Sequence, residues 1–179
     1  MTGSVADLGD LERLDDEVRV RFTRRFHHSP EKVWKALTDR EHVNQWFPTD
    51  IEGDWAPGAP LRFAFREHDL PAFDGEVVAY DPPSLLEFRW GDELLHFELR
   101  PDGDATMFTL LVTFDEVGKV ARDSGGWHQC LDILKHALEG EAPPPEDKTA
   151  WKDLFSRYTE RFGPETATIG PPPGIGYDE

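Results

Sequence analysis

The chain has 179 residues, with 19 basic side chains against 36 acidic ones, a formal charge of −17. That length suits one domain and buries roughly 70% of the surface of the unfolded chain, so no disulfide or metal is needed to close a core. So large an acidic excess repels phosphate backbones and anionic bilayers and excludes nucleic acid as a natural partner. No run of about 18 apolar residues and no basic, apolar start marks membrane insertion or export, and Cys130 stands alone, which predicts a cytoplasmic protein without disulfides.

Residues 1–16 carry Asp7, Asp10, Glu12, Asp15 and Asp16 against Arg13, a composition that predicts an acidic flexible leader. From Glu17 to Phe26, Val18, Val20, Phe22 and Phe26 share one phase and Arg19, Arg21 and Arg25 the other, as in a half-buried strand. Ser29-Pro30 then offers a helix N-cap and a first-turn proline ahead of Val33, Trp34 and Leu37. Thr38-Asp39-Arg40-Glu41 matches a capping box and opens a second short helix bearing Val43, Trp46 and Phe47.

Between Asp50 and Asp115 the pattern turns to short alternations broken by turn residues, about six antiparallel strands. Asp81-Pro82-Pro83 closes one strand, since proline cannot donate to a ladder. A two-residue turn at Gly91-Asp92 sets Trp90 opposite Glu93, Phe88 opposite Leu95 and Leu86 opposite Phe97. Carried through the Pro101-Asp102-Gly103-Asp104 turn, this predicts Phe97 opposite Phe108 and Leu95 opposite Leu110. One face is then apolar, and the other, with Glu87, Arg89, His96, Glu98 and Arg100, belongs in water.

A sheet greasy on one side needs a cover, and Trp127, Leu131, Leu134 and Leu138 mark a helix over about 119–139. Gly125-Gly126 within it predicts a close backbone approach to the sheet, or a kink. A proline-rich spacer over 141–147 precedes a last helix, about 149–162, which presents Trp151, Leu154, Phe155, Tyr158 and Phe162 and stops at Gly163. Residues 163–179, rich in proline and glycine, read as a flexible tail. The folded domain is therefore 17–162, an α+β layout in which a curved antiparallel sheet of about six to seven strands wraps a long C-terminal helix.

This order, with Ser29-Pro30-Glu31-Lys32-Val33-Trp34-Lys35-Ala36-Leu37-Thr38, Trp46-Phe47-Pro48, Gly75-Glu76-Val77, Asp81-Pro82-Pro83 and Gly126-Trp127-His128-Gln129-Cys130-Leu131, resembles the START-like, birch-pollen-allergen-like (SRPBCC) superfamily. Within it the chain is similar, over about residues 17–162, to homologues of the activator of the heat shock protein 90 ATPase. The resemblance implies a helix-grip fold with a cavity for a small hydrophobic or amphipathic molecule between sheet and helix, held by a carrier or sensor. It also implies two alternatives: a polyketide cyclase or hydratase, or a chaperone-associated interaction module whose partner is another protein. No cofactor is expected.

Residues on the two facing surfaces form the candidate cavity wall: Phe63, Phe65, Phe88, Trp90, Phe97, Trp127, Leu131 and Leu134. Arg24 falls in the inward phase of the first strand, where burial without a partner is costly. It must leave through a bulge or strand end, or serve as an anion contact at the pocket mouth. His128, Asp132 and His136 repeat along one helix stripe, which reads as solvated, because His128 and His136 stand near 12 Å apart along the axis, too far for one ion. His96 pairs with Glu87 on the wet face, and Cys130 reads as an inert buried thiol. Nothing in the spacing assembles a nucleophile, acid and base, so no catalytic or metal residue is assigned.

Overall fold

The protein is described by a computed structural model over residues 7–66, 69–145 and 147–170. Its strands are β1 (Asp10–Arg13), β2 (Val18–Phe26), β3 (Asp50–Glu52), β4 (Pro60–Ala64), β5 (Phe73–Asp81), β6 (Leu85–Trp90), β7 (Glu93–Asp102) and β8 (Ala105–Phe114). Its helices are α1 (Pro30–Thr38), α2 (Arg40–Val43), α3 (Val120–Leu138) and α4 (Lys148–Phe162). The strands form one open antiparallel sheet in the order β1-β2-β8-β7-β6-β5-β4-β3, which grips α3.

Alternation drives this sheet. Leu95, Phe97 and Leu99 on β7 and Phe108, Leu110, Val112 and Phe114 on β8 are buried on the inner face. On the outer face His96 lies opposite Glu87, with Nδ1 2.5 Å from its carboxylate and Nε2 2.9 Å from that of Glu98. Gly91 and Gly103 take positive φ values of 64° and 60°, which lets two-residue turns join β6 to β7 and β7 to β8. At the second turn Asp102 pairs with Ala105, so Phe97 opposes Leu110 and Leu95 opposes Val112. The expected register was therefore two residues out. The turn is tighter than the four-residue reading, and a slip of two preserves the face of every side chain.

Two departures lie at the termini. The stretch expected as an acidic leader supplies an edge strand, which raises the strand count to eight. Glu12 is the cause: its carboxylate lies 2.5 Å from Arg19 and 2.8 Å from Arg21, so an acidic residue pairs with the arginine face of β2. The expected tail begins with a 3-10 turn at Pro164–Ala167, and Ile169 N–H donates to Gly118 O at 3.0 Å. Residues 1–6 of the leader and 171–179 of the tail lie outside the described residues.

Helix caps follow the sequence with one adjustment. Ser29 Oγ accepts from Lys32 N–H at 3.3 Å, while Asp39 rather than Thr38 caps α2. Thr38 instead donates its hydroxyl to Trp34 O. The close approach predicted at Gly125 exists, but toward α4: a Cβ there would stand 3.4 Å from Trp151 Nε1 and 3.6 Å from Leu154 Cβ. Thus α3 has the sheet on one side and α4 on another.

Candidate functional site

The interior between sheet and α3 is a continuous layer of aromatic rings whose hub is Phe47. Its ring centroid lies 6.0 Å from Phe88, 5.9 Å from Trp90 and 5.6 Å from Trp127. Trp90 and Trp127 meet edge to face at 5.3 Å, and Phe88 stacks at 5.9 Å on both Phe63 and Phe97. The geometry is that of favourable offset and edge-on ring pairs. The inner strand phase and the α3 stripe bring together Phe63, Phe88, Trp90, Phe97 and Trp127, and Leu131 and Leu134 are buried on the same stripe. Phe65 lies just beyond β4 and meets this layer through Phe73, 5.9 Å away. Phe47 was missed as a wall residue, although the Trp46-Phe47-Pro48 motif was the signal for it.

Indole N–H groups are satisfied in ways that fix the rings. Trp46 Nε1 donates to Ala36 O and Trp55 Nε1 to Thr38 O, each at 2.8 Å, and Trp90 Nε1 donates to the buried Thr49 hydroxyl at 3.2 Å. Arg66 braces the same corner by donating to Phe47 O at 2.8 Å and pairing with Asp50 at 2.6 Å. At the C-terminal end of α3, Gln45, Ile133, Ala137, Gly140, Glu141, Ala142 and Pro143 line an open surface groove of about 430 Å³. None of these lining residues is aromatic or lies on a strand, and five of them, Gln45, Gly140, Glu141, Ala142 and Pro143, are exposed.

Of the buried polar side chains among the described residues, two can carry a charge. Glu93, opposite Trp90, faces inward and is only 4% exposed, with Lys119 Nζ 3.2 Å away. Burial, and then the Asp123 carboxyl beside it, push its carboxyl well above the usual carboxylate range. Lys119 in turn lies 2.6 Å from Asp115. The second group is His128, which is fully buried rather than solvated. Its Nδ1 lies 2.9 Å from Tyr158 Oη on α4, and burial lowers its pKa to about 4. The predicted solvated stripe fails here because α4 covers it, and Asp132 and His136 alone keep a wet edge.

Arg24 stays in the ladder opposite Phe108, so the expected bulge or strand-end exit is absent and its side chain remains half-buried on the inner side. Cys130 is half-buried, with burial pushing its thiol up to about 12, far from the nucleophilic range. Glu76 is exposed on β5. Among the described residues no group of three or more His, Cys, Asp or Glu side chains is placed to hold a metal ion. Nor is any helix among them long and apolar enough to cross a membrane.

The family described as "Activator of Hsp90 ATPase homolog 1-like protein" matches residues 27–139, from the end of β2 through α3. The chain belongs to this family. Its helix-grip fold is the START-like one, and solved structures share it. The conserved protein of unknown function EF2215 from Enterococcus faecalis is similar at 18% identity and TM-score 0.73, over 86% of this chain and 89% of that one. CalU16 from Micromonospora echinospora is similar at 19% identity and TM-score 0.67, over 86% of this chain and 94% of that one. DynU16, a protein of the dynemicin biosynthetic locus, is similar at 29% identity and TM-score 0.62, over 73% of this chain and 49% of that one. No curated protein matches the chain.

Proposed function

We propose that the protein binds a small hydrophobic or amphipathic molecule in the groove along α3, as a carrier or sensor. The observation that carries this reading is the groove of about 430 Å³ along α3, walled by Ile133, Ala137, Ala142 and Pro143 with Gln45 and Glu141 as its polar groups. Aliphatic walls with few polar groups favour lipid-like ligands, since apolar area removed from water supplies the affinity and the polar groups orient. The likeness to DynU16, from a biosynthetic locus, supports a metabolite-sized ligand.

The test is native against denaturing mass spectrometry of freshly purified protein, with extraction of what is released. A stoichiometric extra mass, or saturable thermal stabilisation by lipids or aromatics, is expected; neither appearing would sink the reading. Ala137→Trp fills the groove and is expected to weaken that stabilisation about tenfold, as the loss of one good apolar contact does, with melting of the free protein little changed.

A cyclase or hydratase reading is favoured by one observation, the inward Glu93. A carboxyl that burial makes a weaker acid, beside Trp90, can serve as a proton donor at the edge of the aromatic interior. On that reading Glu93→Gln retains ligand binding and loses conversion of the extracted ligand.

A further inference from the structure

The groove at the end of α3 is lined by one charged side chain, and that side chain is a carboxylate. Glu141 stands there with Gln45 among apolar walls, and no lysine, arginine or histidine lines the groove. The way the chain leaves α3 puts Glu141 in this place. Gly140 takes a positive φ of 72°, its N–H donates to Ala137 O at 3.1 Å, and Glu141 N–H reaches back to His136 O at 2.9 Å. In this Schellman arrangement the residue after the glycine folds over the last helical turn, and an apolar contact with the residue whose carbonyl it caps frequently accompanies it. Here those two positions hold Glu141 and His136, and the contact is polar: His136 Nδ1 lies 3.0 Å from Glu141 Oε2. Glu141 Oε1 has no partner among the described residues.

The field of the helix makes this an unfavourable place for a carboxylate. Aligned peptide dipoles leave about half a negative charge at a helix C-terminus, which favours cations there and disfavours anions. α3 carries Lys135 and His136 in its last turn but follows them with Glu139 and Glu141. A chain charge of −17 supplies no long-range field to offset them. The groove therefore joins apolar wall to negative potential. A neutral ligand leaves Glu141 to water, an anionic one is repelled, and a cation on an apolar stem complements both parts.

Given the ligand-binding reading of this groove, on which the assignment rests, we propose that its ligand is an amphipathic amine. Its ammonium head donates to Glu141, and its apolar body lies against Ile133, Ala137, Ala142 and Pro143. The body supplies most of the affinity and the head supplies the selectivity.

The test titrates the full chain with three probes of one chain length, octylamine, octan-1-ol and octanoate, below their micelle concentrations at pH 7. The amide NMR signals of Gly140 and Glu141 give the local readout. Octylammonium is expected to bind roughly threefold tighter than octan-1-ol, the advantage that an exposed ion pair gives, and octanoate weaker than both. Added salt should narrow that advantage. Glu141→Gln, which keeps an oxygen for His136, is expected to bring amine and alcohol to equal affinity, whereas Glu139→Gln, outside the lining, preserves the difference. Equal affinity of amine and alcohol for the parent, an unchanged preference in Glu141→Gln, or an equal loss in Glu139→Gln overturns the proposal and leaves the groove as a binding site. If no probe moves the Gly140 and Glu141 signals saturably, or if Ala137→Trp leaves their binding intact, the groove reading itself fails and the amine with it.

Discussion

Glu93 and His128 show how one side chain couples the interior to pH, with opposite signs. Glu93 has its carboxyl raised in the folded state, so folding holds its proton to a higher pH than the unfolded chain does. The stability this gives is complete below the unfolded pKa and is lost as pH rises through the folded one. Glu93→Gln is therefore expected to flatten the alkaline decline in melting temperature; an identical slope in the variant would refute the assignment. His128 is lowered from 6.5 to about 4, so between those values the unfolded chain binds a proton that the folded one refuses. Its contribution is lost as pH falls from about 6.5 toward 4, a gap that corresponds to about 3 kcal/mol. Denaturant titrations of His128→Gln across that window check it, and the variant should lose less stability on acidification than the parent. Neither residue was legible as a site. The hairpin register put Glu93 opposite Trp90, but a charged residue at a strand end reads as rim, and His128 reads as wet until the element that covers it is known.

At the scale of elements, periodicity located helices and strands well, because an apolar stripe at 3.6 or 2 residues records which side is dry. It does not record what lies against that side. The stripe of Trp151, Leu154, Tyr158 and Phe162 predicted that α4 docks, yet not that it docks on α3 beside Gly125, which was read as an approach to the sheet. Tyr158 shows what the docking is worth. Its ring lies 6.4 Å from Phe22 and 5.9 Å from His128, and its hydroxyl satisfies both Gly9 N–H and His128. Tyr158→Phe keeps the packing and strands those two groups, at a cost of about 1–3 kcal/mol. Urea unfolding should show that loss, and hydrogen exchange should show faster opening at Gly9. A change below about 0.5 kcal/mol would mean that the hydroxyl is a bystander.

For the whole molecule, the two ends of the chain close on each other, which composition concealed because an acidic stretch resembles a solvated one. Arg13 lies 2.6 Å from Glu165, Arg161 pairs with Asp10, and Arg161 Nε donates to Gly9 O at 3.0 Å. These exposed pairs are individually weak, but β1 also covers part of the β2 edge, with Leu11 packed against the core. Removing residues 1–16 deletes the strand, frees Tyr158 Oη from Gly9, and presents the ladder groups of β2 to solvent, where an unpaired edge recruits other chains. For a chain of this size each kcal/mol lost lowers Tm by about 2–4 °C, so the truncated protein should melt several degrees lower. Light scattering after gel filtration should also show more self-association than in the full chain. A truncated form with unchanged melting and mass would mean that the sheet closes at β2, and that the first sixteen residues are the leader their composition suggests.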